Sequence, residues 1–319
     1  MTRQFFVPFI LFLVFFLPAR AQDSFREEAM SIHVDSNTLA GTLCLPLIKP
    51  TGAVVLIVAG SGHTNRDGNQ EPNLMTNAYQ QIAHALAAAG IASLRYDKRG
   101  VGESVFRISE QNLRFDHFID DAALWIKTLT NDARFRSVIV AGHSEGSLIG
   151  MVACEKEKAQ AFISLEGAAY PIDEVLKTQL KTAIPDSNYY QLSCRYIDTL
   201  KQGIHLTHSD PALGSLFRPS IQDYMINWMK YDPSVEIKKL QVPVFIIQGE
   251  HDIQVDTGNG NALKKACPKG EYLLIPGMNH VLKEAPAERS ANFAVYNMPE
   301  KEVMKACIDA LIAFCRTHS

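Results

Sequence analysis

The sequence predicts an α/β protein: a doubly wound, mostly parallel sheet that opens with an antiparallel hairpin and carries a helical insertion. Three observations carry that prediction. Short uninterrupted apolar runs, such as 138–141 and 244–248, alternate with helical segments, as expected of strands buried on both faces of a parallel sheet. Ahead of them, two strand-like runs flank the turn signal Asp35-Ser36-Asn37 and read as a hairpin. Finally, 78 residues separate Leu165 from Val244, where a crossover needs about a dozen or more.

Taken in order, the hairpin strands are 29–34 and 39–45. The buried strands are 53–58, 92–96, 138–141, 161–165, 244–248 and 272–275, and the helices between them are 78–89, 115–130, 144–156 and 261–266, with a closing helix at 302–316. The core therefore has two parts, 22–165 and 244–319, interrupted by a helical cap at 166–243. That insertion holds Tyr170, Tyr189, Tyr190, Tyr196, Trp228 and Tyr231, spaced to build a small core of its own and to line a pocket over the sheet edge.

Residues 1–21 read as a secretory signal: Arg3 supplies the positive start, 5–17 is apolar apart from Pro8, and Ala19-Arg20-Ala21 gives a small-x-small cleavage pattern. A bilayer span needs about 20 apolar residues, so this run is too short to anchor the chain. Export to the periplasm or medium follows as an expectation, with no stable membrane insertion after cleavage. The six cysteines then enter an oxidising compartment; Cys44 and Cys154 read as small buried hydrophobes, and Cys267 is expected to bridge to Cys307 or Cys315.

Composition narrows the function. The 319 residues are 47% apolar and 20% charged, ordinary for a protein with a full core. A formal charge of −3 without a basic block gives no footprint for a phosphate backbone, which argues against nucleic acid as a partner. No Cys-x-x-Cys pair, His-Glu-x-x-His pattern or phosphate-cradling loop occurs, and His205 and His208 lack a third ligand, so neither a metal nor a nucleotide cofactor is implied.

The sharpest motif is Gly142-His143-Ser144-Glu145-Gly146, lying between a strand and an apolar helix. A serine hydroxyl is a poor nucleophile and needs exposure at a strained turn, a nearby base and backbone N–H donors; glycines two before and two after it permit such a turn. Gly249-Glu250-His251-Asp252 follows strand 244–248, and Pro276-Gly277-Met278-Asn279-His280 follows strand 272–275. Asp252 is thus a candidate acid, with Glu250 and Asp256 as flanking alternatives, and His280 a candidate base. The order nucleophile, acid, histidine is that of one hydrolase class.

With these motifs the chain resembles the α/β-hydrolase superfamily of serine hydrolases, especially insert-bearing esterases and the dienelactone-hydrolase-like and serine-aminopeptidase-like proteins. Residues 58–63, Val-Ala-Gly-Ser-Gly-His, resemble its oxyanion loop, although the family more often starts this loop with His-Gly. Residues 95–104, Arg-Tyr-Asp-Lys-Arg-Gly-Val-Gly-Glu-Ser, resemble its D-x-R-G-x-G-x-S turn. The resemblance implies Ser144 as nucleophile, His280 as base, Asp252 as its orienting acid, and the backbone N–H groups of Ser61 and Glu145 as oxyanion donors. Asp97 is then a structural partner of its turn, His143 packs inside the elbow, and His63 is a possible substrate contact. The Glu145 carboxylate would oppose a neighbouring oxyanion, so Arg66 is expected to neutralise it by a bidentate contact.

The leading expectation is an exported hydrolase of carboxylic esters with short or medium acyl groups, carbohydrate-linked esters included. The same triad would serve a serine aminopeptidase, with Asp173, Glu174, Asp198 or Asp223 receiving the substrate ammonium. A non-catalytic binding protein of the same fold is the third reading. Oligomeric state is left open by the sequence.

Overall fold

The computed structural model describes residues 24–34, 37–105 and 107–319. The expected leader, 1–21, and Asp35 and Ser36 of the hairpin turn lie outside the described residues. The chain runs β1 (Phe25–Val34), β2 (Asn37–Pro46), β3 (Ala53–Val58), α1 (Ala78–Ala88), β4 (Ala92–Tyr96), α2 (Phe115–Thr130), β5 (Ser137–His143), α3 (Glu145–Lys156) and β6 (Ala161–Leu165). Between the sixth and seventh strands come α4 (Ile172–Ala183), α5 (Ser187–Lys201), α6 (Gly214–Phe217), α7 (Pro219–Trp228) and α8 (Pro233–Lys239). It closes with β7 (Val244–Gly249), α9 (Thr257–Ala266), β8 (Glu271–Ile275), α10 (Arg289–Ala294) and α11 (Lys305–Thr317).

Among the described residues one sheet of eight strands forms, in the order β1-β2-β4-β3-β5-β6-β7-β8. β1 pairs antiparallel with β2, and β2 with β4; every later pairing is parallel. The central strands are apolar on both faces because helices cover both. From β5, Val138 and Val140 pack with Trp125, Ile126 and Ile149 of α2 and α3. Ile139 and Ala141 pack on the other side with Ile82, Leu86, Leu311 and Phe314 of α1 and α11. Each such fully buried side chain contributes about 1.5–3 kcal/mol of burial free energy. The helices between β6 and β7 centre on a separate apolar cluster of Ile197, Leu200, Phe217, Met225 and Met229. Trp228 also stacks on Phe115 of α2 at 5.2 Å, which ties this segment down to the sheet layer. No described helix is long and apolar enough to cross a membrane.

Three expectations are corrected. The helix expected at 261–266 starts at Thr257, because the Asp256 side chain accepts from the Gly258 N–H at 3.0 Å and caps a segment whose glycines read as loop. The closing helix starts at Lys305, three residues later than expected, since Met304 is still extended. The bridge from Cys267 to Cys307 or Cys315 does not form: all six thiols are free. Cys267 packs with the apolar cluster on one face of the sheet and Cys307 and Cys315 with the cluster on the other. A disulfide cannot reach across that separation.

The turn after β4 directs three successive side chains to three places. Asp97 accepts from the Arg66 backbone N–H at 2.7 Å and from its Nη2 at 2.6 Å. Lys98 turns into the interior, as described below. Arg99 clamps Asp121 of α2 with two bonds of 2.6 Å, both side chains being buried. Burial pushes Asp121 up to about 6 in spite of Arg99, so the carboxylate depends on its partner. Replacing one member of such a pair strands a buried charge, and Arg99→Leu is expected to lower stability by about 3–5 kcal/mol in urea unfolding. Arg99→Leu with Asp121→Leu should recover most of that loss; no recovery would mean the cost lies in packing instead.

Candidate active site

The site is built where the parallel strands end, the edge at which open α/β sheets hold their ligands. β5 runs into α3 through Ser144, which adopts φ 54° and ψ −120°. The chain can turn this sharply only because its flanks are glycine. A Cβ on Gly142 would lie 2.2 Å from the Gly146 carbonyl oxygen, and one on Gly146 would lie 2.3 Å from that of Val58. The Ser144 N–H is fixed to the Leu165 carbonyl at 2.9 Å, and α3 begins directly afterwards at Glu145.

β7 and β8 deliver the other two groups. His280 Nε2 lies 3.1 Å from Ser144 Oγ, and its Nδ1 lies 2.7 Å from Asp252 Oδ2. Asp252 Oδ1 accepts from the N–H groups of Gln254 at 2.7 Å and Val255 at 2.8 Å. Burial alone would raise the Asp252 carboxyl, but the facing His280 and these hydrogen bonds outweigh it and hold it below the ordinary range. Glu250 and Asp256 are not part of this chain: Glu250 is exposed and accepts from Gly277 N–H, and Asp256 is the cap of α9.

His143 does more than pack. Its Nε2 sits 2.7 Å from the His280 carbonyl oxygen and must carry a hydrogen to bond there. Nδ1 is therefore an acceptor, and takes the Tyr79 hydroxyl hydrogen at 2.8 Å. The Tyr79 oxygen in turn accepts from the Gly60 N–H at 3.1 Å. Burial, with His280 nearby, pushes His143 down to about 3, so this ring stays neutral. Through one imidazole the loop carrying His280 and the loop after β3 are tied together.

Arg66 does not neutralise Glu145. Its guanidinium is taken by Asp97, Glu103 and Thr42. The group that faces Glu145 is Lys98, at 3.6 Å, and Tyr224 of α7 hydrogen-bonds the same carboxylate. Burial pushes Glu145 up and Lys98 down, each opposed by the other. Lys98 Nζ also donates to the Gly60 carbonyl at 2.5 Å and lies 5.5 Å above the Phe118 ring. In a trans peptide the N–H points opposite to the C=O. Gripping Gly60 from behind therefore turns the Ser61 N–H away from Lys98. The Ser61 carbonyl is pinned separately by Thr64 Oγ1 at 2.8 Å and Gln70 Nε2 at 2.9 Å.

Two cavities meet at Ser144 and Ser61. One, about 230 Å³, runs under the inserted helices and is walled by Leu148, Ile172, Leu176, Leu216, Met225 and Trp228. The other, about 60 Å³, lies beside His280 and is lined by Gly60, Thr64, Gln70, Thr76 and Leu282. His63 is exposed and borders neither. His205 is exposed and pairs with Asp223 at 2.8 Å. Elsewhere Glu27, Cys44 and His84 converge, but Glu27 is already bonded to Arg95 at 2.9 Å.

Sequence reasoning passed over Lys98, Tyr79, Tyr224 and Glu166. Glu166 carried a usable signal, since it is a carboxylate directly after a buried strand, as Asp252 is. Tyr79 and Tyr224 carried none: each is an aromatic on a helix.

The strand order, the antiparallel start and the strained turn after β5 define an α/β-hydrolase. More narrowly, the family described as serine aminopeptidase, S33, matches residues 73–285, and the chain belongs to it. The chain is 26% identical over 277 residues to esterase EstD of Thermotoga maritima, covering 83% of this chain and 63% of that protein, so it spans a little under two thirds of that relative's length. Est1E of Butyrivibrio proteoclasticus, with ferulic acid bound, superimposes with a TM-score of 0.58 at 16% identity over 91% of this chain and 97% of that one. The Pyrococcus furiosus esterase PF2001 does so with a TM-score of 0.58 at 14% identity over 92% of each. At these identities the structural likeness shows the fold.

Removing the Tyr79 hydroxyl would leave the Gly60 N–H and His143 Nδ1 buried and unpaired. Tyr79→Phe is therefore expected to cost about 1–3 kcal/mol of stability in thermal or urea unfolding. A change below a few tenths would show that water replaces the hydroxyl.

Proposed function

We propose that this chain is a carboxylic-ester hydrolase that works through an acyl-enzyme on Ser144. The observation that carries the reading is the hydrogen-bonded chain from Ser144 through His280 to Asp252, opening directly onto the apolar cavity of about 230 Å³. Similarity to a relative named an esterase supports it. In this reading Ser144 Oγ attacks the ester carbonyl carbon as His280 Nε2 takes its proton, and Asp252 holds the imidazole tautomer and stabilises the cation that forms. The oxyanion takes the N–H groups of Glu145, at the start of α3, and Ser61, whose peptide Lys98 fixes. Each such donor lowers the barrier by about 3 kcal/mol. Collapse breaks the bond to the alcohol oxygen, which takes the proton from His280 and leaves. Water then attacks the acyl carbon as His280 takes its proton; collapse breaks the bond to Ser144 Oγ, His280 returns the proton to that oxygen, and the carboxylic acid leaves.

The apolar cavity takes the acyl group, since it borders Ser144 and Ser61 but not His280. The small cavity borders His280 and takes the start of the alcohol. Ferulic acid in the Est1E structure is consistent with aromatic acyl groups and plant-derived, carbohydrate-linked esters among the substrates. Peptidase action is the weaker reading, because three of the four acids named for a substrate ammonium are engaged in ion pairs. Asp173 pairs with Lys201, Asp198 with Lys177, and Asp223 with Arg114; of the four only Glu174 borders the cleft of about 400 Å³ that adjoins the apolar cavity. We place the protein in the periplasm or medium on residues 1–21, which a mature form beginning near Gln22 in the exported fraction would support.

The protein should hydrolyse p-nitrophenyl acetate or butyrate and leave aminoacyl nitroanilides intact, and Ser144→Ala should lose about 10⁴-fold or more of the turnover while staying folded. Full turnover by Ser144→Ala would sink the reading. Lys98→Met with Glu145→Gln should lower kcat by about 10²-fold at little change in KM, because the Ser61 donor loses its fixed direction. An unchanged kcat would remove Ser61 from the oxyanion site.

A further inference from the structure

Glu166 is the first residue after β6, with φ 49°, and no part of it is exposed. Its Oε2 accepts from Gln248 Nε2 at 2.5 Å. Its Oε1 meets no donor in good geometry, and the carboxylate of Asp252 lies within hydrogen-bond reach. The other groups packed toward it are Tyr272 of β8, Tyr296 and Cys307 of α11, all acids or neutral, with the Gly249 backbone beside it and His280 on the far side of Asp252. No Lys or Arg faces it among the described residues. Two carboxyl groups buried together without a cation between them cannot both ionise, so the pair holds one proton.

Hydrogen-bond capacity decides where the proton sits. A carboxylate offers about four acceptor sites. Asp252 fills three of them with Gln254 N–H, Val255 N–H and His280 Nδ1, donors that favour its ionised form. Glu166 has an oxygen that no donor meets in good geometry, the Gly249 N–H approaching its carboxylate only off line, and lies in the fully enclosed position. A proton on that oxygen gives Glu166 a partner and Asp252 its fourth donor at once.

We propose that Glu166 is a neutral carboxylic acid that donates its hydrogen to Asp252 and so acts as a positioning residue for the His280 imidazole. This rests on the hydrolase reading of Ser144, His280 and Asp252. Burial, then the neighbouring Asp252 charge, raise the Glu166 carboxyl well above the usual range, in keeping with its neutral state. Without this donor, Asp252 would keep one lone pair unsatisfied in a closed interior and would be freer to rotate about its side-chain bond. His280 would then lose direction toward Ser144.

The test is Glu166→Gln beside Glu166→Leu, with pH profiles of kcat and KM. Glutamine keeps a neutral donor in the same place, so kcat should stay within about threefold and the acidic limb of the profile should not move. Leucine removes the donor, so kcat should fall by about 10²-fold with KM little changed. Were Glu166 ionised, Glu166→Gln would delete a negative charge beside Asp252 and move the acidic limb to lower pH by about one unit, overturning the proposal. A loss greater than about tenfold in a folded Glu166→Gln would also overturn it. If Glu166→Leu does not fold, the infrared difference between the parent and Glu166→Gln decides: the carbonyl stretch of a protonated carboxyl must be present in the parent alone. That band is read without turnover, so failure of the hydrolase reading would show in Ser144→Ala and leave the protonation of Glu166 separately judged.

Discussion

The turn at Ser144 constrains everything around it. A non-glycine residue at φ 54° and ψ −120° stores about 1–3 kcal/mol, and such strain persists only where the surroundings over-determine the backbone. Here β5 fixes the incoming chain through parallel pairing with β3 and β6, and α3 fixes the outgoing chain through burial on nearly every side. Gly142 and Gly146 let those two elements approach until their backbones touch. The reward is a hydroxyl held at the strand ends with a helix N-terminus starting one residue later, an arrangement that favours negative charge near the turn.

Around the turn, buried charge is arranged in separate compensated sets. Lys98, Glu145 and Tyr224 form one, on the side of the inserted helices. His280 and Asp252 form another, with Glu166 behind them. Between the two stands the neutral ring of His143, hydrogen-bonded at both nitrogens. A charged ring there would repel His280, whose ring centre is 4.9 Å away, and burial removes that charge. Neutrality at one histidine thus spares its neighbour a like charge at close range.

Much of this was legible in the sequence, and for physical reasons. Apolar runs such as Val-Val-Leu-Ile-Val after Ala53 read as two-sided strands because nothing polar could be tolerated on either face. Ser144, Asp252 and His280 stood out because each follows such a run, and strand ends in a parallel sheet converge on one edge. The partner of Glu145 was misread because the choice between Arg66 and Lys98 depends on how the turn after β4 rotates each successive side chain. That rotation leaves no mark on spacing. The cysteine pairing failed for a related reason: closeness to one sheet edge says nothing about which face a side chain occupies. The start of α9 was missed since a single capping carboxylate, Asp256, overrides the poor helix propensity of the two glycines after it.

β6 and β7 are parallel hydrogen-bonded neighbours, with Phe162 opposite Val244 and Leu165 opposite Ile247, so the inserted helices leave the sheet at the end of β6 and rejoin it at the start of β7, two points whose separation the pairing fixes. The loop between them spans the same fixed distance whatever its length, and the entropic cost of lengthening it grows only logarithmically. Walls of the apolar cavity such as Ile172, Leu216 and Trp228 all belong to that loop, while Ser144, His280 and Asp252 do not. The architecture separates the cavity walls from the hydrogen-bonded triad along the chain: one contiguous stretch can be exchanged, shortened or redesigned to reshape the cavity while Ser144, His280 and Asp252 keep their places.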